Sequence, residues 1–575
     1  MHELVIRGGA IIDGSGGERT TGDVAIDDGR ITEVGPVSGR GRREISAKNC
    51  LVTPGWVDVH THYDGQATWD PLLAPSSWHG VTTVVMGNCG VGFAPVRPDQ
   101  KDFLIELMEG VEDIPGAALA EGIDWQWETF PEYLDALEKF PRAIDVGTQV
   151  PHGAIRAYVM GERCNTRDDL PSADELRQMA ALVHDGVAAG ALGFSSSRTL
   201  LHKDKHGIHV PGTFAGSDEM LALGLGMKGL AHGVFELVSD HLGTEDEWAW
   251  VKQFARATGL KVTLVATSAA AYEEGRLYRI AAEAQAEGME IRPQMAGRPT
   301  GVLHGLQSSF HVFVGHPSYA SEVAPLPLPE KVARMRDRDL RRRILAEQSA
   351  IPRTMMGRTL EELLWQVFPL GDAPDYEQPR EASVAGIAAA KGLPAFEVMY
   401  DLLAAGAGEE LFYQPLGGYS DYNLDYYRDI MQLPNILFGL SDGGAHCGVI
   451  ADAGMASYIL SYWGRDRVRG ERLPVEYLVR KLSRDTAEAY GMTDRGLIAP
   501  GMKADINVID FDALRLHRPE AVHDLPTGGR RLVQRVEGYR HTVQTGVITF
   551  ENGVHTGALP GKLVRGGRRG GSAEG

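Results

Sequence analysis

The sequence predicts an α/β protein: a (β/α)8 barrel of the TIM type, with a small β-sandwich domain formed by both chain termini. Three observations predict it. Short β-branched runs alternate with helical periodicity through the middle of the chain. Both ends read as short strands broken by Gly-rich turns. Chemistry-bearing side chains sit at the ends of middle strands, where barrels place their active sites.

The N-terminal part of the sandwich is expected over 1–54. Leu4-Val5-Ile6, Ala10-Ile11-Ile12, Asp23 to Ile26 and Arg30 to Val34 are its strands, and Asp28-Gly29 is a turn. This unit is too short to bury a core alone. The C-terminal part, 491–565, supplies a partner through Gly496 to Asp510, Val533 to Gly538 and His541 to Gly553. The tail 566–575 is Gly/Arg/Ser-rich and is expected to be disordered.

The barrel is expected over 55–490. Its strands in order are Trp56–His62, Val81–Gly87, Ala143–Gly147, Ala191–Ser195, Gly233–Val238, Lys261–Val265, Glu290–Met295 and Ile436–Asp442. Helical patterns lie between several of them, such as Ser172 to Ala189 and Asp246 to Thr258. The alternative is a doubly wound open sheet, but no Gly-x-Gly-x-x-Gly follows the first strand. An insertion of about 300–420 includes a charged helix, Pro329 to Gln348, and reads as a lid or specificity element on the C-terminal side of strand seven. No internal repeat is present.

Composition bounds the function. The chain has 575 residues, 43% of them hydrophobic, and a formal charge of −20 from 57 basic and 77 acidic residues. That balance disfavours nucleic-acid binding. No long uncharged apolar run suggests a membrane span, and Met1 to Gly9 does not read as a signal peptide. Cys50, Cys89, Cys164 and Cys447 are widely spaced, which reads as reduced thiols and a cytoplasmic location. The expected partner is a small-molecule substrate; a homo-oligomer is compatible with the sequence.

The first barrel strand carries the chemistry. His60 and His62 stand two residues apart, so both project to one side of a strand. Such a pair suits two metal ligands, although a strand with two incidental histidines has the same pattern. Strand two ends in Gly87-Asn88-Cys89-Gly90, and Cys89 offers a soft thiolate for zinc, with a buried structural thiol as the competing reading. Strand eight ends in Ser441-Asp442-Gly443, where Asp442 is either a ligand and proton acceptor or a turn cap.

These stretches resemble a known family. Val52 to Asp64, with its Pro-Gly-Trp-Val-Asp-Val-His-Thr-His core, is similar to the first-strand signature of the amidohydrolase superfamily. Gly87 to Gly90 with Ala94-Pro95, Gly190 to Ser195, Ser441-Asp442-Gly443 and the Pro-Gly-Met-Lys-Ala-Asp stretch from Pro500 resemble its D-aminoacylase (N-acyl-D-amino-acid deacylase) branch. The resemblance implies a zinc-dependent hydrolase cleaving an amide, most directly of an N-acyl-(D-)amino acid. It also implies that His60, His62, Cys89 and Asp442 surround the metal, with Asp442 as general base and acid toward a zinc-activated water. The superfamily's carboxylated lysine at the end of strand four is missing; Phe194-Ser195-Ser196 stands there, and Cys89 is expected to substitute. Lys203 and Lys205 lie further on, in a loop.

The chain departs from the branch pattern on strands five and six, each of which ends in a histidine in D-aminoacylases. Strand five here runs Val234 to His241, with Glu236 and His241 as substitutes; strand six, Val262 to Ser268, has no histidine. One or two zinc ions are therefore compatible, with one favoured. His202, His206 and His209 in the strand-four loop are further metal or oxyanion candidates. Arg198 and Arg298 sit past strand ends and are candidates for a substrate carboxylate, since Arg grips one in a bidentate way; a structural ion pair is the competing role. Tyr413, Tyr419, Tyr422, Tyr426 and Tyr427 form a lid packing or a pocket wall. Ser195-Ser196-Ser197 lacks a Gly-x-Ser-x-Gly elbow and is not read as a nucleophile. Two other readings compete: a zinc hydrolase of a lactone, carbamate or cyclic amide, and a non-catalytic barrel that binds a small ligand.

Overall fold

The computed structural model describes residues 1–266, 275–350, 354–355 and 358–567. The fold is mixed α/β. The middle of the chain forms parallel strands that pair largely in sequence order. Trp56–Asp58 pairs with Val81–Met86, which pairs with Asp145–Thr148. Val150–Pro151 follows at once and pairs with Gly193–Arg198. The ladder continues through Val234–Ser239, Lys261–Ala266 and Ile291–Pro293. Gln294 bridges to Leu437, and Leu440–Gly443 returns to His60–Thr61. Most of these strands are buried on both faces, which is why they read as continuous apolar runs rather than alternations.

Two expected strands are interrupted. The first divides into Trp56–Asp58 and His60–Thr61, and the eighth is regular only over Leu440–Gly443. The two breaks lie side by side. Gly439 has φ +85°, and a Cβ there would lie 3.1 Å from the Val57 carbonyl oxygen. The backbones approach so closely that Val59 N–H donates to the Gly439 carbonyl at 3.1 Å.

The helices start where caps predict. Ser172 accepts from Glu175 N–H and Glu175 returns to the Ser172 backbone, opening Ala173–Ala189. Thr244 caps Glu245–Thr258. The charged helix expected over Pro329 to Gln348 is two helices, Leu328–Met335 and Arg338–Ala346. Asp337 breaks it by turning its side chain onto the backbone N–H groups of Asp339 and Leu340. The inserted region holds its own buried cluster, including Phe313, Val332, Leu340, Ile344, Leu364 and Tyr400.

Both chain ends share one nine-stranded sheet. Leu51–Pro54 joins the halves: it pairs with His2–Ile11 on one side and with Ile506–Ile509 on the other. Not all of the C-terminal part stays there. The hairpin of Glu520–Leu525 and Gly529–Val533 departs from the sheet, and Leu532 N–H donates to the Cys447 carbonyl at 2.7 Å, just past strand eight. The last described segment runs along the third strand, with Val146 N–H on the Lys562 carbonyl and Val564 N–H on the Val146 carbonyl. The expected disorder from 566 is corrected in part: Gly566 N–H donates to the Gly190 carbonyl, so that Gly566 and Gly567 are docked. Residues 568–575 lie outside the described residues. Among the described residues, all four cysteines are free and buried, and no helix is long and apolar enough to cross a membrane.

Candidate metal centre and active site

The parallel order brings strand ends one, two, five, seven and eight to one place. His60, His62 and Cys89 are buried, and their ligand atoms lie within 4.8 Å of one another. Cys89 Sγ is 3.3 Å from His60 Nε2. Asp442 Oδ1 lies 3.4 Å from His60 Nε2 and 3.8 Å from His62 Nε2. The four residues expected to surround a metal therefore face one another.

Neighbours orient them. Gln294, at the end of strand seven, places Oε1 2.6 Å from His60 Nδ1, which assigns the ring proton to Nδ1 and frees Nε2. Gln294 Nε2 in turn donates to Thr263 Oγ1 on strand six at 3.1 Å. Cys89 sits at φ +55° in a turn held by Asn88, whose Nδ2 donates to the carbonyls of Thr61 and Val85. Asp442 is also left-handed, at φ +51°. A strained position at a strand end is common where a side chain must be aimed. Beneath it Ser441 Oγ donates to the buried Asp58, whose carboxyl burial pushes up to about 7.

The pocket concentrates acid. Burial and the nearby Glu236, Glu112, Asp442 and Asp64 carboxylates raise the Cys89 thiol well above its ordinary range. Burial lifts Asp442 to about 6, with His446 opposing and Asp452 adding. Burial lifts Glu236 to about 8, and its Oε1 is buried without a hydrogen-bond partner. Burial also holds His60 down at about 4, leaving a neutral ring with a free lone pair. Neutral imidazoles, a thiol and crowded carboxylates are the donor set a divalent cation satisfies, and its charge removes the cost of crowding them. The residues fit zinc.

The remaining candidates separate. Glu236, on strand five, touches the cluster directly: Oε2 accepts the Cys89 backbone N–H at 2.8 Å. His202 faces it as well. Its Nδ1 is 2.9 Å from Ser197 Oγ, and burial with the nearby His446 holds it down at about 3. The other three histidines do not arrive. His206 is exposed and reaches Glu106 at 3.6 Å; His209 packs on Phe214; and His241 is exposed beyond the strand, its backbone N–H on Ser239 Oγ. The strand-four loop turns the side chains of His206 and His209 away from the cluster, a choice sequence spacing does not encode. Arg198 is corrected too. Glu247 takes it at 3.0 and 3.2 Å, the Ala215 carbonyl takes its other nitrogen, and Trp250 covers it. Arg298 is buried against Asp452 at 2.7 Å, 3.9 Å over the Tyr376 ring and 5.4 Å from both Tyr413 and Tyr458. Of the five tyrosines, Tyr413 thus lines this box, while Tyr419 and Tyr422 pack on Phe368. The serine triplet is spent structurally: Ser195 Oγ holds Gly90 N–H, Ser196 Oγ meets His152 Nδ1, and Ser197 Oγ meets His202.

Sequence reasoning missed three residues here. Gln294 ends a strand without a motif. Glu112 closes the helix Lys101–Glu112 and places Oε1 3.2 Å from His62 Nδ1. His446 follows Asp442 by four residues and lies 3.7 Å from Glu112. Only the position of Gln294 and His446 near strand ends offered a signal; Glu112 offered none.

The likeness to known proteins spans nearly the whole chain. The amidohydrolase family profile matches residues 43–550. An uncharacterised protein of Mycobacterium tuberculosis is 27% identical over 99% of this chain and 95% of its own length. A D-aminoacylase of Alcaligenes xylosoxydans xylosoxydans is 24% identical over 98% of this chain and 97% of its own. Among solved structures, N-acyl-D-glutamate deacylase from Bordetella bronchiseptica, complexed with zinc and a phosphonate mimic of the tetrahedral intermediate, matches with a TM-score of 0.63, 22% identity, and 98% and 99% of the two chains covered.

Proposed function

Since the chain belongs to the amidohydrolase family, we propose that it is a metal-dependent hydrolase that cleaves the amide of an N-acyl-D-amino acid or a close relative. The observation that carries this is the convergence of His60, His62 and Cys89, with Asp442 within 3.4 Å of His60 Nε2. The sequential order of parallel strands supports reading the fold as a (β/α)8 barrel with this cluster at its C-terminal mouth.

His60, His62, Cys89 and Asp442 would hold one zinc ion, with Glu236 the residue placed to extend the set. Bound zinc supplies a Lewis acid for the scissile carbonyl and lowers the pKa of water. Asp442 is the base: its raised pKa suits accepting a proton from the attacking water and returning it to the leaving nitrogen. His202 and His446 are the donors near the developing oxyanion. Arg298, in its tyrosine box, is the candidate for the substrate carboxylate; its buried Nε has no hydrogen-bond partner. One ion is favoured because strand five contributes a carboxylate and strand six Thr263, where a second ion would want imidazoles.

The test joins zinc analysis of the purified protein to a turnover screen of N-acyl D- and L-amino acids, lactones, carbamates and cyclic amides. Turnover confined to N-acyl amino acids with one zinc per chain supports the reading. Turnover of only the other classes overturns the substrate assignment. A chain that takes up no zinc when it is supplied overturns the mechanism.

A further inference from the structure

Glu112 breaks two local rules at once. It ends the helix Lys101–Glu112, where the negative end of the helix dipole disfavours a carboxylate. It is also 1% exposed, with neither carboxylate oxygen in a hydrogen bond. Burying a charge without a partner is costly. Side chains that violate local preference without compensation mark function more often than packing.

What Glu112 faces is specific. Oε1 lies 3.2 Å from His62 Nδ1, and Oε2 lies 3.7 Å from His446 Nε2. The opposite nitrogen of His62 is the one turned toward Asp442. His62 Nδ1 has no hydrogen-bond partner, and Glu112 is the carboxylate beside it. His60 has Gln294 in the equivalent role; His62 has only Glu112. The main chain ties the same parts together. The Glu112 carbonyl accepts from Cys447 N–H at 3.3 Å, and the Cys447 carbonyl accepts from Leu532 N–H on the C-terminal hairpin. The helix end, the loop after strand eight and the hairpin thus form one support around the carboxylate.

We infer that Glu112 is a positioning residue: its carboxylate grips His62 Nδ1 and His446 Nε2 together, fixing the His62 tautomer that offers Nε2 to the metal and holding the His446 ring at the mouth. Carboxylate partners of ligating histidines set ring orientation and raise ligand basicity, and their loss costs ten- to a hundredfold in metal affinity. The 3.2 Å approach lacks hydrogen-bond alignment, and a small rotation of either side chain closes it. This inference rests on the reading that His62 is a metal ligand.

The experiment measures zinc affinity by chelator competition in the full chain and in Glu112→Ala and Glu112→Gln. It adds the visible absorption of the cobalt-substituted proteins and the melting temperature of the zinc-free ones. The expected result is a ten- to hundredfold loss of zinc affinity in Glu112→Ala, a changed cobalt spectrum, and recovery of most of the affinity in Glu112→Gln, whose amide oxygen still accepts from His62. Affinity in Glu112→Ala within threefold of the parent overturns the inference while leaving the metal site standing. Equal losses in both variants, with lowered zinc-free melting temperatures, overturn it in favour of packing. A parent chain that binds no zinc overturns the metal site, and this inference with it.

Discussion

The two sides of the strand-end cluster differ in chemistry. The side built by strands one, two and eight offers imidazole, thiolate and carboxylate within 4 Å contacts: His60, His62, Cys89 and Asp442. The side built by strands four to six offers oxygen: Ser195, Glu236 and Thr263 are paired in register across it, and no described residue of those three strands is a histidine, His202 coming from the loop beyond strand four. The first side is suited to hold an ion tightly. The second holds the first in shape, through Ser195 on Gly90, Glu236 on Cys89 and Thr263 on Gln294.

Breaking the first side should cost most. Asp442→Asn is expected to lower kcat by at least a hundredfold while zinc content stays near that of the parent; full activity in steady-state assays would remove Asp442 from the proton-transfer role. Cys89→Ser should weaken zinc binding by at least tenfold, since a hydroxyl is a far poorer ligand than a thiolate, and chelator competition reads this directly. Glu236→His sharpens the comparison by restoring an imidazole on strand five. Zinc per chain should rise toward two at saturating zinc; a stoichiometry unchanged from the parent would show that strand five alone does not limit it. Of the two arginines, Arg298→Ala should raise KM about tenfold or more for carboxylate-bearing substrates, whereas Arg198→Ala should leave KM unchanged and lower the melting temperature.

A last prediction lies at the opposite end of the strands and concerns stability alone. Asp145 is buried, which raises its carboxyl, but Lys503 at 2.9 Å and Arg495 at 2.7 Å outweigh this and hold it at about 2. A carboxyl depressed on folding stabilises the native state above its unfolded pKa of about 3.9 and loses that contribution as pH falls toward its folded value. The difference corresponds to about 2–3 kcal/mol. Asp145→Asn should therefore unfold more easily at neutral pH and show a weaker pH dependence of stability between about pH 4 and 2, measured by denaturant titration at each pH.

Much of this was legible in the sequence because period and position carry it. His60 and His62 share a face by alternation alone, and Cys89 and Asp442 follow from strand ends in a barrel order. The two-ended sheet was legible because neither terminal unit could bury a core. What was not legible depends on rotamers and on distant packing. Nothing local says that His202 turns inward while His206 and His209 turn out, or that Glu247 claims Arg198 before a substrate can. The division at Asp337 was readable, since Asp caps helices, but the continuous charge pattern concealed it. Glu112 was beyond reach: it stands on a helix whose apolar stripe is ordinary, and only the tertiary fold delivers it to His62.

The join at Leu51–Pro54 also sets when this protein can come into being. That strand leaves the ribosome just before the histidine pair, yet one of its two flanking strands, Ile506–Ile509, is made only after the whole intervening chain. The hairpin that pins Cys447 beside Glu112 emerges later still. At about 5–20 residues per second, synthesis holds the two apart for on the order of half a minute or longer. The nascent chain carries its histidines early but lacks the segments packed behind them until the hairpin of Glu520–Leu525 and Gly529–Val533 has been made.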